Sequence, residues 1–447
     1  MTALSEHRGM RLVVLCALYV AQGIPFGFLT VTLAAALAAD GVDSGEIGGV
    51  FALGTLPWAF KWVWGPFVDR FGSTRYGRRR PWILAAQLGM VATLVGMWSI
   101  PDPATSLVVL GGWIVAHNIF NSLQDVCVDA LAIDLLPPED RGKASGLMYG
   151  SKYAGTAIGG GGLSILAGTT GLHGAFAGMV VLVAAIALLP LFTVERPGER
   201  RWPGGPLVGA AETPVPDDHE EAPETPETPD QPVHSVVGLL HQLALGFANR
   251  AALATAAVAL LATTASGMLS PIGTVLFVRD FGWSQEEYGA VTGGAGIIAG
   301  LVGAVSGGFL ADLVGPRRIV AMCSAVLALL LVAFGLGMNG EIFQNRSVIW
   351  SYVVAEAFLL GCINAAFFAV CFGICRPAVA ATQFTAFMAL MNFGVAGAQG
   401  LAGTVETLLG VSGAWLLGGV IQFSVALLMP FTLPKRGSQT ENAIASG

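Results

Sequence analysis

Two carboxylates four residues apart, Asp125 and Asp129, stand in the stretch SLQDVCVDALAIDLLPPEDRG (residues 122–142), which otherwise reads as a membrane helix. An acid at the centre of a bilayer costs about 2.5–3.5 kcal/mol on insertion scales, so the chain keeps these two for a reason. If the helix ends near Leu135, the helical rise places Asp125 roughly 15 Å and Asp129 roughly 9 Å inside the membrane. A spacing of four puts both on one helical face, which Asn118, Asn121 and Ser122 extend. A polar stripe on an apolar helix must face water or other polar groups. Two chemistries fit: a cavity that handles charge or protons, and a buried ion pair that fixes helix packing.

Candidate partners follow from depth. Lys152 sits nine residues into the next apolar stretch, roughly level with Asp125, and is expected to pair with it. Lys61, near the end of an earlier stretch, is expected to match Asp129. Glu356 lies at mid-depth in the tenth stretch with no partner evident in the sequence, which suits a proton carrier. The expected charge-coupling set is therefore Asp125, Asp129, Lys152, Glu356 and Lys61. His117 either titrates near neutral pH or is a hydrogen-bonded structural residue. The expected cavity lining is Tyr19, Gln22, Pro25, His117, Asn118, Asn121, Asn364, Asn392 and Gln383.

The elements that must hold these residues are set by composition. The 447 residues are 54% hydrophobic and 11% charged, with 60 glycines and a mean hydropathy of +0.69. A soluble protein carries about 25% charged residues, so lipid is the solvent for most of this chain. Eight acids between Glu212 and Asp230 account for the net charge of −7; without them it is +1, leaving no broad charged face for nucleic acid. The six cysteines fall in apolar stretches without CxxC pairs or metal spacing, so they read as small packing residues, and no metal or cofactor is expected. MTALSEHRGMR leads into an apolar run without a small-residue cleavage site and is read as the start of a retained span.

Twelve apolar segments long enough to cross ~30 Å of hydrocarbon are predicted at 10–38, 45–67, 81–100, 106–135, 143–168, 172–193, 247–278, 285–311, 318–337, 347–374, 381–408 and 412–433. This is an all-α membrane protein of two six-helix domains, expected at 1–195 and 247–435. Between them, 196–246 includes AETPVPDDHEEAPETPETPD, too polar and Pro-rich to offset its ordering entropy, and is expected to be disordered, as is the tail 436–447. Lysine and arginine concentrate in the loops on one side (Arg70 to Arg80, Arg141, Lys143, Arg196 to Arg201, Arg317, Arg318, Lys435, Arg436), while the other loops hold only Arg279 and Arg346. That bias puts both termini and the insert in the cytoplasm.

The halves repeat weakly. GPFVDRFG (65–72) leaves the second span, and GFLADLVGPRR (308–318) leaves the eighth. Aligning Gly155 with Gly394 gives an offset of 239, on which Glu356 matches His117 and Asn364 matches Asp125, so the charged sites differ between halves. Paired six-span repeats about a midplane site are an architecture of secondary transporters. Pro25 and Pro271 break the first and seventh spans, and Gly296, Gly300, Ala304 and Gly308, like Gly155 and Gly159, recur every four residues. These small residues are expected at tight contacts about which the halves slide.

The loops just quoted resemble the G-x-L-x-D-R-x-G-R-R loop of the major facilitator superfamily. FKWVWGPFVDRFG with YGRRRPW, QDVCVDALAIDLLPPEDRG, and ATQFTAFMALMNFG (381–394) are similar to its AmpG-like branch of muropeptide permeases, acetyl-CoA transporters and siderophore permeases. YGRRRPW is also similar to sugar–cation symporters. The resemblance implies two six-helix domains rocking about a midplane site, and a loop that controls conformational change: Gly65, Asp69, Arg70, Gly72, Arg79, Arg80, Asp134 and Arg141, with Gly308, Asp312, Gly315 and Arg317 in the second half. Arg70, Arg79 and Arg80 are expected to bind Asp134 and latch the cytoplasmic side.

The function expected is secondary active transport, proton-coupled and without an ATP site, since no G-x-x-x-x-G-K-[ST] loop occurs. By resemblance the solute is a muropeptide or amino-sugar conjugate, with a siderophore or sugar as rivals. The expected partners are that solute, protons and membrane lipid, not nucleic acid, and the expected state is a monomer in a bacterial inner membrane. An intramembrane enzyme would need convergent ligands or a nucleophile with its base, which the sequence lacks. A receptor or assembly factor is the remaining alternative.

Overall fold

The computed structural model describes residues 3–71, 75–202, 205–208, 246–375 and 380–432. Helices form where the apolar runs predicted them. The first half has α1 (Arg8–Ala39), α2 (44–70), α3 (Arg80–Trp98), α4 (Leu107–Leu135), α5 (138–170) and α6 (172–192). The second has α7 (Arg250–Asp280), α8 (Gln285–Val314), α9 (Pro316–Gly337), α10 (Arg346–Phe372), α11 (380–409) and α12 (411–432).

The two halves share their irregularities, which shows the repeat more plainly than sequence identity does. Gly171 (φ 75°) ends α5 and Gly410 (φ 69°) ends α11, 239 positions apart, the register read from Gly155 and Gly394. A positive φ costs an L-residue with a Cβ but not glycine, so both helix pairs turn at these points. Pro25 in α1 and Pro271 in α7 are each followed by a π-helical turn, Phe28–Leu33 and Leu276–Asp280. A proline removes one backbone donor, and a π turn re-registers the carbonyls after it.

Within each half the same helices pair. α1 crosses α5 so closely that a Cβ on Gly155 or Gly159 would strike the carbonyl of Val20 or Ile24; in the second half Gly394 of α11 meets Leu260 of α7. Gly303 and Gly307 of α8 abut Phe358 and Cys362 of α10. Of the expected small residues, Gly155 and Gly159, and Gly300 and Ala304 against Gly361 of α10, pack within a half, while a Cβ on Gly300 would also come within 3.8 Å of Tyr153 of the first half. Glycines also meet across the halves, among them Gly45 against Gly403 and Gly160 against Gly293, at α2–α11 and α5–α8.

The loop arginines also act within a half. Arg79 Nε donates to Asp134 Oδ2 at 2.8 Å, tying α3 to α4. Arg80 Nε donates to the Pro190 carbonyl at 2.7 Å, and its Nη2 to that of Leu191 at 2.9 Å. Arg317 repeats this in the second half, donating to Thr432 Oγ1 at 3.1 Å. A cation on the last carbonyls of a helix suits the negative end of its dipole. The opposite end of that logic falls to Glu195: its carboxylate accepts from the backbone N–H groups of Arg78 (3.0 Å) and Arg79 (2.7 Å) where α3 begins. The Arg79–Asp134 contact is the one expected of the latch, whereas Arg80 binds the end of α6 instead, and both brace the first half. Gly65 and Gly308 have open space at their Cβ positions, and Gly315 (φ 102°) turns the chain from α8 into α9. Gly72, the side chains of Asp69 and Arg141, and the acidic stretch 211–245 lie outside the described residues. At the start of the linker expected at 196–246, Arg200 bridges Leu207, and Arg200 N–H donates to the Arg75 carbonyl at 2.8 Å.

Candidate functional site

A cavity of about 470 Å³ lies between the two halves. The first half supplies Pro25, Trp58, His117, Asn118, Tyr149, Lys152 and Tyr153; the second supplies Asn364, Phe368, Met391, Asn392 and Gln399. Of the expected lining, Pro25, His117, Asn118, Asn364 and Asn392 are there. Tyr19, Gln22 and Asn121 are buried inside the first half, and Gln383 donates to the Gly246 carbonyl at 3.0 Å, away from the cavity.

One end of the cavity is closed. Arg279 Nη1 pairs with Asp43 Oδ1 at 3.1 Å, Ser44 Oγ donates to the Glu406 carboxylate, and Thr55 Oγ1 donates to Gln399 Oε1 at 2.9 Å. Deeper in, Asn392 Nδ2 donates to the Trp58 carbonyl at 3.2 Å and the Phe60 and Phe393 rings meet edge to face at 5.3 Å. These polar links all lie between Trp58 and the end opposite the chain termini.

The buried charges are paired differently from the depth argument. Lys61 Nζ lies 2.9 Å from Asp125 Oδ2. Asp129 instead accepts from the Tyr19 hydroxyl. Lys152 has its ammonium 4.8 Å from the centre of the Trp58 ring, a cation–π contact of about 0.5–2 kcal/mol. The cause is a break in α2. Pro57 lies three residues before Phe60 (φ −104°, ψ 6°), where the helix gives way to a 3₁₀ turn at Lys61–Val63. That turn swings Lys61 to the level of Asp125. Pro57 was the available sequence signal.

The polar stripe of α4 is spent largely on its own half. Trp58 Nε1 donates to Asn118 Oδ1 at 2.9 Å and Trp64 Nε1 to Ser122 Oγ at 3.1 Å, which fixes both sides of the α2 break. His117 Nδ1 lies 3.1 Å from Thr93 Oγ1, while its Nε2, at the cavity wall, has no protein partner. Asp129 borders a second hollow of about 270 Å³ with Tyr19, Ser145 and Tyr149, and Tyr149 also borders the main cavity.

Glu356 does not line the cavity. It bonds Tyr352, whose hydroxyl accepts from Trp415 Nε1 at 2.9 Å and whose ring stacks on Phe334 at 4.2 Å, inside the second half. Asn364, two turns further along α10, is the residue that reaches the cavity, roughly 12 Å along the axis. Trp58, Tyr149, Tyr153, Thr55 and Gln399 line it without having been expected. The aromatic residues among them look like ordinary membrane-helix residues in sequence, and only the crossing of α2, α5 and α11 brings them together.

The model of the Major Facilitator Superfamily matches residues 12–247 and 255–446, nearly the whole chain. The chain belongs to the Major Facilitator Superfamily. This major facilitator protein is 26% identical over 391 residues to the anhydromuropeptide permease of Escherichia coli K12, covering 86% of this chain and 72% of that permease. Over 133 residues it is 24% identical to "Putative transporter AmpG 3" of Rickettsia prowazekii, covering 29% of this chain and 31% of that protein. Its fold matches a point mutant of the nucleoside transporter NupG with a TM-score of 0.69 at 14% identity, covering 95% of this chain and all of the other. It matches a D-xylose-proton symporter with 0.70 at 13% identity, covering 95% and 98%. It is a multi-pass membrane transporter of a small-molecule substrate, and not an enzyme.

Proposed function

We propose that this transporter carries an anhydro-muropeptide or related amino-sugar conjugate inward with protons, by alternating access, across a bacterial inner membrane, with both termini in the cytoplasm. The observation that carries the reading is the cavity between the halves: flat aromatic residues (Trp58, Tyr149, Tyr153), amides (Asn118, Asn364, Asn392, Gln399) and one ammonium, beside the buried Asp125 and the half-buried Asp129. Its volume falls in the ~300–1,000 Å³ range of small-molecule sites. Sugar rings present C–H faces that pack on aromatic rings, and their hydroxyl and acetamido groups match amide side chains. The likeness to the E. coli permease supports the same class.

The chain's own groups supply a route for coupling. Asp129 borders the smaller hollow, held by Tyr19 and next to Tyr149, which borders both hollows, with the Lys61–Asp125 pair one turn away. A proton on Asp129 removes the negative charge that the Tyr19 hydroxyl serves, which loosens α1 from α4. With the termini inside, the cavity is closed on the outer face, which suits the state from which solute leaves to the cytoplasm. Uptake of labelled GlcNAc-anhydroMurNAc-peptide into proteoliposomes tests the reading. An imposed inward proton gradient is expected to drive accumulation; accumulation that ignores the gradient, or uptake of a siderophore or disaccharide in its place, would overturn it.

A further inference from the structure

We propose that Lys152 is the substrate's anchor and that the substrate it takes is an anion, bound through a carboxylate on the Lys152 ammonium; this rests on the transport reading above. Among the described cavity-lining residues, Lys152 is the one lysine or arginine, and no aspartate or glutamate is among them. The cavity therefore carries a positive charge that its own walls do not cancel. The nearby acids are already committed: Asp125 to Lys61 at 2.9 Å, and Asp129 to the Tyr19 hydroxyl. Lys152 instead rests on the face of Trp58, which positions an ammonium without neutralising it. Trp58 is itself held from both halves, by Asn118 Oδ1 at its indole N–H and by Asn392 Nδ2 at its carbonyl. An ammonium presented in this way, half-buried on a ring clamped between the domains, is placed to meet a carboxylate and to report its arrival to both halves. A neutral sugar would leave that ammonium with no carboxylate in direct contact, and with Asp125 and Asp129 acting on it only from a distance, in a site of low dielectric, which disfavours it. The substrate class is thus an acidic sugar or peptide conjugate, not a neutral saccharide.

The test compares an acid with its neutral form on the full chain. The probes are N-acetylmuramic acid and its methyl ester, read first as thermal stabilisation of the detergent-solubilised protein, because a ligand that binds the folded state raises its melting temperature. The acid is expected to raise the melting temperature of the wild type and of Lys152→Arg, but not of Lys152→Gln; the ester is expected to raise none of them. Uptake of labelled acid into proteoliposomes is expected to fall at least about tenfold in Lys152→Gln, one decade of affinity. An equal shift with acid and ester, a shift that persists in Lys152→Gln, or no shift with the acid would each overturn the proposal. Stabilisation by the acid without any uptake would sink the transport reading and leave the Lys152 assignment standing, so the two failures are distinguishable.

Discussion

Lys61 Nζ lies 2.9 Å from Asp125 Oδ2, and this pair takes the place that depth along the helices assigned to Lys152. Asp125 is buried and Lys61 only partly so, with 27% of its side chain exposed. Removing one partner leaves an uncompensated charge, normally a cost of 3–5 kcal/mol at fully buried pairs, reduced here by the exposure of Lys61 to about 2–3 kcal/mol. Asp125→Asn and Lys61→Met are each expected to lower stability by that amount in detergent melts. The double variant is expected to recover most of it. Additive losses in the cycle would show that the two groups do not depend on each other.

Asp129 and Tyr19 make the second prediction. Asp129→Asn keeps the hydrogen bond to Tyr19 but fixes the site in an uncharged form. Counterflow exchange of substrate is expected to continue in this variant, while accumulation driven by a proton gradient is lost. Tyr19→Phe is expected to retain accumulation with a shifted pH profile. Proteoliposome assays with and without an imposed gradient separate the two.

The α1–α5 crossing predicts opposite outcomes for two glycines on one helix. Gly159 faces the backbone of Ile24, whereas Gly150 faces open space. Gly159→Ala is expected to destabilise the protein by about 1–3 kcal/mol, because two helix backbones must part. Gly150→Ala is expected to be neutral or stabilising by up to about 1 kcal/mol, from helix propensity alone. Melting temperatures of the two variants measure the contrast.

Gly293 of α8 lies against the backbone of Gly160 in α5 where the cavity is closed. A leucine there cannot fit, so Gly293→Leu is expected to hold that end open. A cysteine replacing Thr30 in the cavity wall, in a chain whose native cysteines are substituted, should then react several-fold faster with an impermeant thiol reagent added from that side. Transport should fall. Unchanged labelling would mean that α5 and α8 do not form the gate.

Asp40, just beyond the end of α1, carries a carboxyl raised from its ordinary value by burial and then by the like charge of Asp102. A raised carboxyl contributes stability that is fully present below its unfolded value and is lost as pH rises through the folded one. Asp102→Asn removes the repulsion. Its melting temperature is therefore expected to exceed that of the wild type at pH 7 and to converge with it near pH 3. A gap that widens in acid would contradict the assignment.

The span ends were legible in the sequence to within a few residues, as was the repeat, whose register of 239 recurs in the paired turns at Gly171 and Gly410. Five of the nine residues expected in the cavity line it. Sequence position gives depth through the helical rise, and polar residues in lipid must face something polar, which is why part of the lining was readable, while Glu356, expected in the coupling set from the same argument, lies away from the cavity.

What sequence alone fixed is the membrane, the twelve spans, their repetition and the identity of the buried charges, because all of these follow from composition and from a one-dimensional rise per residue. Tertiary structure decided which charge meets which. Partner choice depends on rotation about each helix axis and on local breaks such as the one after Pro57, neither of which depth specifies. The same rotation placed Glu356 inside the second half, turned the loop arginines into braces within a half, and left Lys152 facing the cavity.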